Sequence, residues 1–137
     1  MRSVKSIIAG SLFIIISILL MQLAYIFIAV AYNAMAKDYP FLNYISGSFR
    51  YLIGIPVFVV TMFLGGYITA NIANMKTSIK VWLHCIVVGL LTTGGMMYSA
   101  LENTNITITG IVVFILALGA TTAGGLYWQK HNRINQT

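Results

Sequence analysis

Acidic side chains are almost missing from this 137-residue chain, which holds only Asp38 and Glu102. Neither falls inside a long apolar stretch, so the strongest sequence sign of proton-coupled transport or of catalysis within a bilayer is absent. Cysteine is equally scarce. The single Cys85 cannot supply the paired thiols of a membrane thiol oxidoreductase, and reads as a small apolar packing residue. The two histidines, His84 near the start of an apolar run and His131 in the polar tail, are too few and too scattered for a metal or haem site. Charge as a whole is sparse: 7% charged against 59% hydrophobic residues leaves too little polar surface to cover a water-soluble globule of this length.

What is present is hydrocarbon-compatible sequence. Apolar runs without an internal Lys or Arg cover about 6–34, 51–75, 81–101 and 106–128, each near or above the roughly 20 residues needed to cross a bilayer. Runs such as 12–20 and 111–118 do not alternate in polarity, which excludes the strands of a transmembrane barrel. The expected fold class is therefore all-α: a single integral membrane four-helix bundle over residues 1–137, with an outer loop at 37–50. The first run follows Arg2 and Lys5, and Ala34-Met35-Ala36 has the small-x-small form of a signal cleavage site. Its apolar core is far longer than a signal peptide's, so it is read as a retained helix.

Basic residues set the expected orientation, because Lys and Arg accumulate in cytoplasmic loops. Arg2, Lys5, Lys76, Lys80, Lys130 and Arg133 fall on one side of the four spans, and only Lys37 and Arg50 on the other. Both termini are thus expected in the cytoplasm, and the formal charge of +6 reflects topology rather than a nucleic-acid surface. Trp82, Tyr127 and Trp128 would mark the cytoplasmic interface, and Tyr32, Tyr39, Tyr44, Tyr51 and Tyr98 the outer one. Tyr67 lies inside the second span, where its hydroxyl would seek a partner on a neighbouring helix.

The first loop is unusually aromatic. Tyr39, Phe41, Tyr44 and Phe49 suit either a segment lying in the headgroup layer or docking onto another protein. Small residues spaced four apart offer close helix contact: Gly66 with Ala70, Gly89 with Thr93, Ala120 with Gly124, and Thr121 with Gly125. The pairs Gly65-Gly66, Gly94-Gly95 and Gly124-Gly125 extend these candidate packing positions. A faint tandem parallel repeat of two αα-hairpins is suggested by Gly54-Ile55-Pro56-Val57-Phe58 against Gly110-Ile111-Val112-Val113-Phe114.

Pro56 is placed near the outer start of the second span. Thr69, Asn71 and Asn74 read as that span's polar C-terminal turn, or as a contact for a cytosolic partner. Asn105-Ile106-Thr107 matches a glycosylation acceptor on the outer side. Among buried polar residues, Ser17, Gln22, Thr61, Thr92, Thr93, Thr121 and Thr122, the hydroxyls can bond their own helix carbonyls. Gln22 is the costliest to bury and the first for which a cross-bundle partner is expected.

The four spans, with Gly65-Gly66-Tyr67-Ile68-Thr69-Ala70 and then Ile72-Ala73 closing the second, resemble small four-helix bacterial membrane proteins. The resemblance implies the architecture and an inner-membrane location, and carries no catalytic or binding residue across. Small multidrug transporters are similar in size, but residues 6–36 lack the glutamate expected in their first span. Dual-topology fluoride channels also have four spans, and the basic bias here argues against insertion both ways.

The expectation is a non-enzymatic accessory or assembly subunit without cofactor or metal, packing against a larger membrane protein or itself. The alternative is a small transporter or channel with Ser17, Thr61, Thr92 and Thr93 lining a hydroxyl-bearing centre.

Overall fold

The computed structural model describes residues 2–36, 42–74, 78–102 and 108–134, and every one of its elements is a helix. They are α1 (Arg2–Ala36), α2 (Leu42–Ala73), α3 (Ser78–Glu102) and α4 (Ile108–Ile134). The many Ile and Val residues would favour strands in water, but a helix satisfies its own backbone whatever surrounds it. Three stretches are long and apolar enough to cross a membrane: Ser3–Met35, Ile53–Ala73 and Gly110–Asn132. In α3 the apolar stretch found among the described residues, Ile79–Gly95, is shorter, so the span expected at 81–101 is matched by helix but not by that length criterion.

One boundary differs from the sequence expectation. Helix α2 begins at Leu42, so residues 42–50 of the expected outer loop are helical, and Gly47 is carried inside the helix. Pro56 consequently lies in the helix interior rather than near its start, where the missing N–H leaves one carbonyl a turn earlier without its helical donor. The other end is well defined. Asn74 adopts a left-handed backbone with φ 46°, and its N–H donates to the Ala70 carbonyl at 2.9 Å, the αL cap that stops a helix. Asparagine tolerates this conformation better than the apolar residues before it.

The helices run up, down, up, down. Helix α2 touches all three others, α4 packs on α2 and α3, and α1 leans on α2 and α3 without reaching α4 among the described residues. The start of α1 and the end of α4 therefore fall at the same end, here termed the basic end because Lys5, Lys80 and Lys130 lie there, all exposed.

Among the described residues, the core lies in that half of the bundle. Ile14, Met62, Val88, Ala117 and Ala120 form one buried cluster, and Ala70, Val81, Cys85 and Trp128 a second one nearer the basic end. Glycine makes this approach possible where backbones meet. A Cβ on Gly66 would collide with the Thr121 carbonyl, and one on Gly124 with the Phe63 carbonyl, so α2 and α4 are in main-chain contact.

Candidate functional site

Beyond the core the helices separate. Toward the basic end, a Cβ on Gly10 would strike the Thr69 hydroxyl and one on Gly65 the Ile14 side chain, so α1 and α2 touch. At Met21 the two helices still touch, the Thr61 hydroxyl reaching the thioether sulfur at 4.0 Å. Further out a cleft of about 630 Å³ lies between the two helices, lined by Ile18, Met21, Gln22 and Tyr25 of α1 and by Gly54 and Phe58 of α2, among others. Bulky side chains on both helices hold the far halves apart where small ones drew the near halves together.

Two polar tips sit in this apolar cleft. Gln22 is exposed and its amide makes no hydrogen bond to any described residue. Tyr25, one turn on, is half-exposed, and its hydroxyl is likewise unbonded. Gln22 lies about 25 Å along the helix axis from Lys5 and about 21 Å from the helix end at Ala36. No described residue supplies the cross-bundle partner expected for Gln22, and α1 and α2 leave the cleft between them at its level. Tyr25 escaped the sequence reading. Its place three residues after Gln22, on the same helical face, was the signal that marks it.

The threonines behave differently. Thr61 donates to the Val57 carbonyl at 2.9 Å, Thr92 to Val88 at 2.8 Å, Thr93 to Gly89, and Thr121 to Ala117 at 2.9 Å. Each of these threonine hydroxyls thus bonds a carbonyl of its own helix, and Thr61 and Thr92 also reach the Met21 and Met62 sulfurs at 4.0 Å. Ser17 is only partly buried and does not join the other three in one buried group.

Of the proposed packing positions, Gly65, Gly66, Ala70, Gly89, Thr93, Ala120, Gly124 and Gly125 are all buried. Gly94 and Gly95 are exposed, and among the described residues a Cβ on either would meet nothing within 4 Å. Tyr39, Phe41, Asp38 and the 105–107 acceptor lie outside the described residues. For Tyr44 and Phe49, only the helical backbone of α2 is described.

The basic end carries its own polar contacts. Trp128, buried rather than lying in an interfacial belt, donates from Nε1 to Asn71 Oδ1 at 3.0 Å and ties α4 to the last turn of α2. His84 Nδ1 lies 2.8 Å from the Lys80 carbonyl, and the His131 ring stacks on Tyr127 with centroids 6.4 Å apart. The Tyr67 ring packs against the Cys85 and Trp128 cluster, yet its hydroxyl finds none of the cross-helix partners expected of it. Among the described residues no His, Cys, Asp or Glu group is arranged to hold a metal ion.

Comparison with known proteins finds no matching family model, no matching curated protein and no matching solved structure.

Proposed function

We propose that the chain is a four-span integral membrane protein of a bacterial inner membrane, with both termini cytoplasmic, acting as a non-enzymatic accessory or assembly subunit. In this reading α3 crosses with the other three helices, its turns beyond Gly95 completing the span. The excess of Lys and Arg at the basic end supports the orientation.

One observation carries the reading: α1 packs on its own chain through Ser6, Gly10 and Ile14 and leaves most of its apolar surface exposed. Only 6% of its most apolar window is buried, against 33% for α2 and 28% for α4, and it carries the unbonded Gln22 amide at mid-helix. An unsatisfied amide in hydrocarbon costs several kcal/mol, a penalty that a second protein surface removes. The partner is a larger membrane protein or another copy of the chain.

Affinity purification from native membranes in mild detergent tests this reading. A stoichiometric complex is the expected result. A strictly monomeric species with nothing copurifying would overturn it.

A further inference from the structure

Along α1 runs a regular seam, two of whose residues, Gln22 and Ile26, also line the cleft facing α2. Ile15, Leu19, Gln22, Ile26, Ala29 and Asn33 recur at alternating spacings of four and three residues. All are exposed except Ala29, which is partly buried. That spacing is the a/d pattern of a two-stranded coiled coil, with Leu19, Ile26 and Asn33 on one register and Ile15, Gln22 and Ala29 on the other. On a helical wheel the seam lies well away from Gly10 and Ile14, which face the chain's own core.

Gln22 and Asn33 are the two carboxamides of α1, and both fall on this one seam. Neither makes a hydrogen bond within the chain among the described residues. We infer that α1 pairs in parallel with α1 of a second copy, with Gln22 facing Gln22 across a two-fold axis. The inference rests on the membrane-spanning reading above and names the partner that reading leaves open.

Self-complementarity selects the second copy. All copies insert in one orientation, so a two-fold axis along the membrane normal sets every seam residue against its own counterpart at the same depth. A carboxamide both donates and accepts, so two facing Gln22 side chains close a reciprocal pair of hydrogen bonds, and Asn33 repeats the match three turns out. A different protein would have to present matching polar groups at that same separation and depth. Asn33 at an a position adds register, because slipping the helices by one heptad would set its amide against Ile26. Ala29 between the two amides leaves room for close approach.

Disulfide trapping in native membranes tests the pairing on the full chain. Ile26→Cys lies on the seam, whereas Phe27→Cys lies at nearly the same depth about 100° around the helix. Wild-type chain, whose Cys85 is buried, serves as the background control. Oxidation should give a covalent dimer of Ile26→Cys and leave Phe27→Cys and wild type monomeric. Adding Gln22→Leu to Ile26→Cys should lower dimer yield about tenfold, the scale of one interhelical polar contact in a membrane. Equal trapping at positions 26 and 27, or no effect of Gln22→Leu, would overturn the inference. If no dimer forms while a different membrane protein copurifies, the self-pairing fails and the accessory-subunit reading stands. If neither is found, both fall.

Discussion

The two ends of this bundle are made from the same residue types and end up in opposite states. At the basic end Gly65, Gly66, Gly124 and Gly125 are buried between helices. Toward the other end Gly54, Gly94 and Gly95, and on the exposed face of α4 Gly119, would each accept a Cβ without meeting any atom within 4 Å. Glycine therefore does not draw helices together by itself. It permits contact where a matching surface exists, and the match here is the main chain of a crossing helix. Where the facing residues are Ile18, Met21, Tyr25 and Phe58, the helices stand apart and leave the cleft.

Substitutions at the two ends should separate this contrast cleanly. The largest effect is expected from Gly66→Val or Gly124→Val, since each new side chain would be driven into a facing carbonyl that cannot rotate away. Overpacking of this kind costs about 3 kcal/mol or more, read as loss of the folded fraction in denaturant titration of detergent-solubilised protein. A smaller loss, about 1–3 kcal/mol, is expected for Gly125→Ala, whose Cβ would meet Cys85 Sγ. Combining it with Cys85→Ala should restore part of that loss, so the double variant will be less destabilised than the two singles summed.

Trp128→Phe keeps most of the ring but removes the bond to Asn71, and should cost about 1 kcal/mol in the same titration. The smallest change is expected at the open end. Gly94→Ala should be neutral or stabilising by up to about 1 kcal/mol, since alanine is the better helix former and nothing obstructs it. A destabilising Gly94→Ala would show that α3 is covered there and would sharpen the search for what covers it.

The helical class was legible from the sequence because it rests on uninterrupted apolar runs, which few other signals can contradict. The start of α2 was not. Asn43, Ser46, Gly47 and Ser48 carry turn chemistry, yet the helix runs through them from Leu42, and local preference yields when the alternative leaves backbone groups unpaired. The glycine pairs illustrate a second limit. Gly94-Gly95 and Gly124-Gly125 are alike as sequence, and only the crossing of the helices decides which pair is enclosed. Gln22 stood out because its amide is costly anywhere in a bilayer. That no described residue partners it required the cleft between α1 and α2 to be seen.

The threonine bonds have a consequence for how such a chain enters a membrane. Thr61, Thr69, Thr92, Thr93, Thr121 and Thr122 each satisfy their hydroxyl proton on a carbonyl three or four residues back, before any neighbour arrives. On the membrane-spanning reading, α2, α3 and α4 can thus enter lipid one at a time with these threonine hydroxyls already satisfied. Tertiary assembly is then left to shape, with Trp128 and Asn71 fastening α4 to the last turn of α2.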